Sequence, residues 1–170
     1  LPLRPLVDLS FAATYVAAGM TPWAHYGVHL AFHALNVWLV SRVGAALLGC
    51  ARAGLLAGIA FALWWPAREA VIHLYARPHL MALAFGLLAV WGCRAALDRP
   101  AGPGRLWPAA LAAALLSSEA AAALLLLLPA LERWAQGRIA WRRYSWAAAV
   151  AILWLAWQAG MRWGRPGSLG

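Results

Sequence analysis

The chain has 170 residues, 65% of them hydrophobic, with a mean hydropathy of +0.69. Soluble domains are about 45–50% apolar, so a water-soluble globule is excluded and a polytopic helical membrane protein is expected. The net charge of +9 comes from 14 basic residues, all arginine, set between apolar runs rather than gathered in one patch. That pattern fits topology signals and headgroup contacts and argues against nucleic acid as a partner.

Arginine without lysine, with heavy use of alanine and glycine, suggests a GC-rich bacterial genome and so a multi-pass protein of the bacterial inner (cytoplasmic) membrane. Cys50 and Cys93 form no CxxC pair and lie near no metal-ligand cluster, so neither a disulfide framework nor a metal site has support. The chain begins without Met and ends in a polar Arg-Pro-Gly-Ser stretch, which suggests a fragment of a longer protein, one transmembrane domain over residues 1–170.

In chain order, Leu6 to Gly19 is short and suits an interfacial or re-entrant helix. Trp23 to Leu48 is long enough to cross a bilayer. Ala53 to Trp65 crosses only if it extends into the polar segment that follows. His79 to Ala96 crosses, and Ser145 to Met161 crosses again. Leu106 to Leu131 carries Ser117, Ser118 and Glu119 at its middle. The sum is an all-α bundle of about five to six membrane helices plus an interfacial N-terminal helix.

Arginine placement orients the spans. The loops near Arg42 and Arg52, from Arg94 to Arg105, and from Glu132 to Arg143 read as cytoplasmic. Trp64 to His79 then lies on the extracytoplasmic face. The same rule favours Leu106–Leu131 as a broken hairpin that turns near Glu119; a single span is the alternative. The tryptophans mostly fall at span ends, as an aromatic belt does.

Two constellations carry chemistry. The first is Trp64 to Met81, which sets Arg68, Glu69, His73, Arg77 and His79 between apolar runs. An unpaired charge in lipid costs several kcal/mol, so charges placed there are usually used. Two arginines with one carboxylate form either an ion pair closing a loop or a site with one arginine free for a phosphate. Pro78 places Arg77 at a helix N-terminus, whose dipole would favour an anion. The second is His25, His29, His33 and Asn36, which share one helix face. They could be a metal or haem face, a polar cavity lining, or structural histidines.

The order of motifs resembles a known family. Arg4-Pro5-Leu6 is similar to an RPL motif, and His33-Ala34-Leu35-Asn36 to H-x-L-N. Ala62-Leu63-Trp64-Trp65-Pro66-Ala67-Arg68-Glu69-Ala70-Val71 is similar to F-A-L-x-P-x-x-x-E-A-V. Arg77 with Leu80 is similar to G-R-x-x-L-L, and Leu115-Leu116-Ser117-Ser118-Glu119, followed by Pro129, to L-x-S-K-E with its later proline. The series, covering Arg4 to Leu131, resembles the GT-C superfamily of membrane glycosyltransferases. Its nearest branch is the protein O-mannosyltransferase-like group, many members of which carry tetratricopeptide repeats.

The resemblance implies a polyprenyl-phosphate-linked sugar donor, a protein or glycan acceptor hydroxyl, and inverting transfer on the extracytoplasmic face. Basic residues would stabilise the departing phosphate. The family's catalytic acidic residues precede the RPL motif. Asp8 follows it, so the chain is expected to hold the phosphate side of a site without its base and to be inactive alone. Ser118 stands for the family's Lys, Ala76 for its Gly, and His79 where an acidic residue is common. The expected substrate-binding residues are Arg4, His33, Asn36, Arg68, Glu69, Arg77, His79 and Glu119. Arg68 and Arg77 would contact the lipid phosphate, Glu69 would orient one of them, and Glu119 and His33 would line the cavity. A divalent metal is left open. The rival readings are a non-catalytic transporter, flippase-like component or lipid-binding scaffold, and a haem-bearing subunit.

Overall fold

A computed structural model describes residues 4–98 and 106–163, all in helices and the short turns between them. The stretch 99–105, which carries part of one expected cytoplasmic loop, and the polar tail 164–170 lie outside the described residues.

Helix α1, Pro5–Ala18, starts on a proline, whose missing N–H costs nothing at that position. It ends at Gly19, whose φ of 61° only glycine adopts readily. Helix α2, Pro22–Leu48, is also opened by proline, and a left-handed Gly49 closes it. Its 27 residues span about 40 Å, more than a bilayer core.

Helix α3, Ala51–Leu63, and helix α4, Trp65–Ile72, are one apolar segment bent by 55°. Trp64 takes extended angles at the break: Pro66 has no N–H for the Ala62 carbonyl and its ring would crowd it, so α3 cannot run on through the proline. The expectation that this segment spans only by running into the polar stretch is met by a bent pair. A 3-10 turn, Leu74–Ala76, leads into helix α5, Arg77–Asp98.

Helix α6, Trp107–Ser117, stops where Ser118 becomes extended (φ −159°, ψ 143°). The Ser118 hydroxyl accepts from the Ala120 amide at 3.3 Å and caps a 3-10 turn, Glu119–Ala123. Helix α7, Leu124–Gln136, follows, then a 3-10 turn, Trp141–Arg143, and helix α8, Ser145–Trp163.

Two packing regimes meet on α5. Between α2 and α3, Gly44, Gly54 and Gly58 bring the backbones together; a Cβ on Gly54 would collide with the Ser41 carbonyl, and one on Gly58 with the Ser41 hydroxyl. Small residues serve this purpose in membranes, where lipid removes the hydrophobic drive and close contact must supply the attraction. On the other side, Ala89, Val90, Leu111, Ala114, Leu115 and Leu128 form the buried core of α5, α6 and α7.

The contacts fix the path of α6 and α7. Trp107, at the start of α6, packs on Tyr144 with ring centres 5.6 Å apart, and the Tyr144 hydroxyl lies 3.9 Å from Cys93 Sγ on α5. Leu124 reaches Gly86 higher on α5, and the Leu128 carbonyl accepts from that same Tyr144 hydroxyl at 3.2 Å. So α6 climbs along α5 and α7 comes back down, with Glu119 at the turn. The break at Ser118 and the turn Glu119–Ala123 fall where the expected hairpin would turn.

Other expectations change. Among the described residues two helical stretches, Pro22–Leu48 and Leu74–Asp98, are long and apolar enough to cross, or three if the bent pair counts as one span. Helices α1, α6 and the apolar part of α8 are shorter. Trp107, expected in the belt, is 6% exposed and belongs to the core. Glu132, expected to begin a loop, lies inside α7 and is fully buried; its Oε2 accepts from the Ala140 amide at 3.2 Å, so the carboxylate serves the backbone turn after the helix. The chain is an all-α membrane protein.

Candidate functional site

Arg77 is the organising residue at one end of the bundle. It opens α5 and is fully buried. One guanidinium nitrogen, Nη1, reaches Ser10 Oγ at 3.4 Å and Thr14 Oγ1 at 3.3 Å. These two hydroxyls stand one helical turn apart on a single face of α1. The guanidinium carbon sits 3.8 Å from the ring centre of Phe11 on the same helix, a close cation–π contact.

The other nitrogen, Nη2, donates to the His25 carbonyl at 3.3 Å and to His25 Nδ1 at 3.4 Å. Since the arginine can only donate, His25 Nδ1 must accept. Its proton then sits on Nε2, which donates to the Gly19 carbonyl at 3.3 Å. Arg77, His25 and the α1–α2 turn thus form one hydrogen-bonded chain. Among the described residues no carboxylate pairs with Arg77, and its Nε has no protein partner. The cradle is neutral, so the charge of the guanidinium is not cancelled locally.

The remaining stripe of α2 faces α3, α4 and α5. His29 is fully buried and its Nδ1 donates to the Ala70 carbonyl at 3.3 Å. The His33 ring lies 5.7 Å from that of Phe61. Asn36 is fully buried and donates to the Leu80 carbonyl at 3.0 Å. His29 Nε2, His33 Nδ1 and Asn36 Oδ1 are buried atoms without a protein partner among the described residues. Nothing in that set converges as metal ligands do: no three His, Cys, Asp or Glu side chains among the described residues could hold an ion together. The stripe is a polar helix–helix seam that ties α2 to two backbone carbonyls.

Beside Arg77, the hairpin turn brings Glu119 to the start of α1. Arg4 Nη2 donates to Glu119 Oε1 at 2.8 Å and to Oε2 at 3.1 Å. The pair is open to solvent, with side chains 24% and 50% exposed. His79, exposed at the first turn of α5, lies close enough for its charge to act on Glu119. Glu119 therefore has Arg4 as its partner at the bundle end.

The Arg68–Glu69–Arg77 set does not assemble. Arg68 and Glu69 are exposed on α4, and Arg68 lies over the Trp65 ring at 5.2 Å. Among the described residues Glu69 forms no ion pair, so Glu69 orients neither arginine. The reason is geometric: α4 is a helix bent away at Trp64, and α1 rather than α4 covers Arg77. The sequence reading missed Ser10, Phe11 and Thr14 as the arginine's neighbours. Their 4-residue spacing on a helix beginning with Arg-Pro was the available signal.

An all-α membrane bundle with a buried arginine at one end, unpaired among the described residues, defines a broad class. Within it, 86 residues of the chain are 40% identical to the Protein O-mannosyl-transferase Tmtc1 of Drosophila melanogaster. Another match covers 87 residues at 34% identity to the Protein O-mannosyl-transferase TMTC2 of Mus musculus. Each match takes in 51% of this chain but 10% of the relative's length. No family model and no solved structure matches. Both relatives are animal proteins, which gives the bacterial assignment no support.

Proposed function

We propose that the chain is the phosphate-binding side of a membrane O-mannosyltransferase of the GT-C type. It would move a mannose-like sugar from a polyprenyl-phosphate donor to a protein hydroxyl on the extracytoplasmic face. The observation that carries this reading is the convergence of Arg77, Arg4, Glu119 and His79 at one end of the bundle. They come from α1, the start of α5 and the hairpin turn, in a chain similar to two protein O-mannosyl-transferases.

The roles follow from exposure. Arg77 is enclosed, so it acts on the leaving phosphate through its uncancelled field, reinforced by the α5 N-terminus. His79, exposed on the first turn of α5, would touch phosphate oxygens directly, and Arg68, exposed on the neighbouring α4, would reach them from the side. Arg4 holds both Glu119 oxygens, which makes Glu119 a positioning carboxylate rather than a free base. His33 and Asn36 line the seam beneath. The broken α3–α4 helix and the engaged Glu119 also suit a non-catalytic lipid-binding scaffold.

The test is sugar transfer from polyprenyl-phosphate mannose to a Ser/Thr peptide by the gene product that carries this chain. Arg68→Ala and His79→Ala should each raise the donor KM by roughly tenfold, the worth of one hydrogen bond to a charged group. Unchanged KM and kcat in both would sink the assignment. Intact donor binding with no transfer in the wild type would select the scaffold.

A further inference from the structure

The opposite end of the bundle holds a second cationic feature that the transfer chemistry does not use. Arg42 lies on α2, about 25 Å beyond His25 at 1.5 Å per residue. That distance is close to the thickness of a bilayer core, so Arg42 and Arg77 mark opposite membrane boundaries. The Arg42 guanidinium sits 5.9 Å from the Trp38 ring and 5.6 Å from the Trp91 ring. The two indoles meet edge to face, 5.8 Å apart, one from α2 and one from α5. Arg42 is exposed, and among the described residues it has neither a carboxylate nor a hydrogen-bond acceptor. Asp98, at the end of α5, is already taken by Arg94.

We propose that Trp38, Arg42 and Trp91 form a binding site for the phosphate of an anionic phospholipid. Two indoles fix the level at which the guanidinium rides, because tryptophan settles at the headgroup boundary. They also restrict the guanidinium's orientation while leaving its N–H donors free. At that level an arginine with free donors meets lipid phosphate oxygens, whose geometry matches its planar fork. Because no carboxylate among the described residues offsets Arg42, the site favours a headgroup with net negative charge over a zwitterionic one. The site is independent of the transfer reading, being at the other end of the molecule and sharing no side chain with it.

The experiment is native mass spectrometry of the gene product carrying this chain. It is released from nanodiscs of phosphatidylcholine with a minor fraction of phosphatidylglycerol, and the ratio of retained lipids is read. Wild type should retain phosphatidylglycerol in excess. Arg42→Gln should lower that preference about tenfold and Arg52→Gln, which removes an exposed arginine near the same end, less than about twofold. The deciding variant is Arg42→Lys, which keeps the charge and loses the fork; it should lose at least about threefold. Full retention by the lysine variant would overturn the proposal, as would equal losses for Arg42→Gln and Arg52→Gln. So would the absence of any preference in the wild type. Displacement of the lipid by soluble glycerol phosphate would overturn the lipid assignment in favour of a free phosphate.

Discussion

The two halves of this bundle share α5 and are held together by opposite chemistry. Where α5 meets α1, α2 and α4, the contacts are polar: a buried arginine on two hydroxyls and a histidine, and an asparagine on a backbone carbonyl. Where α5 meets α6 and α7, the interface is Ala, Val and Leu, with the Tyr144 hydroxyl as a polar pin at its edge. The apolar half can be rigid because close packing costs nothing in function. The polar half keeps an uncancelled charge enclosed, which a structure optimised for stability alone would remove. The proposed function accordingly draws on the first half and leaves the second as scaffold.

That contrast can be broken or sharpened by substitution, in order of expected cost to the fold. Leu111→Ala, in the fully buried α6 core, should destabilise by about 3 kcal/mol through lost contacts and the cavity left behind. Chemical unfolding in detergent micelles reads this, and a cost under about 1 kcal/mol would mean that the hairpin core is loose. Gly54→Leu should cost about 2 kcal/mol, since its side chain has to push α2 from α3 at the Ser41 carbonyl. A cysteine cross-link between the two helices, formed in wild type and lost in the variant, would show the separation directly.

Arg77→Met is the sharpest test. The change strands the Ser10 and Thr14 hydroxyls and His25 Nδ1 without their donor but also removes a buried, unneutralised cation, so the two costs offset and stability should fall by no more than about 2 kcal/mol. Under the proposed function, sugar transfer should nevertheless collapse, because Arg77 would no longer act on the donor phosphate. A large loss of stability would make Arg77 a structural post and return the polar half to the same role as the apolar one. The smallest effect belongs to the exposed Arg4–Glu119 pair. A double-mutant cycle of Arg4→Ala with Glu119→Gln should give a coupling of about 0.5 kcal/mol at low salt, shrinking as salt is added. A coupling that salt leaves unchanged would mean that the pair is more enclosed than its exposure indicates.

Much of this was legible in residue order, and the failures are as instructive. The membrane class followed from composition. Prolines open α1 and α2, glycines close them, and Pro66 stands at the bend, all of it punctuation written in the chain itself. The charge rule favoured a hairpin turning near Glu119, and the helix breaks at that point, between α6 and α7. The grouping of Arg68, Glu69 and Arg77 was a guess from nearness in sequence. It failed because α4 is a helix of its own, which carries the first two residues out to the exposed surface.

The sequence by itself determined the environment of this protein and the punctuation of its helices. Both depend on local quantities: the free energy of placing side chains in lipid and the backbone freedom of proline and glycine. Only the tertiary structure decided partners. Arg4 and Glu119 lie 115 positions apart, and Arg77 lies 63 positions from Thr14. Such pairings are chosen by which helix faces pack most closely, and that choice is made between helices rather than within any one of them.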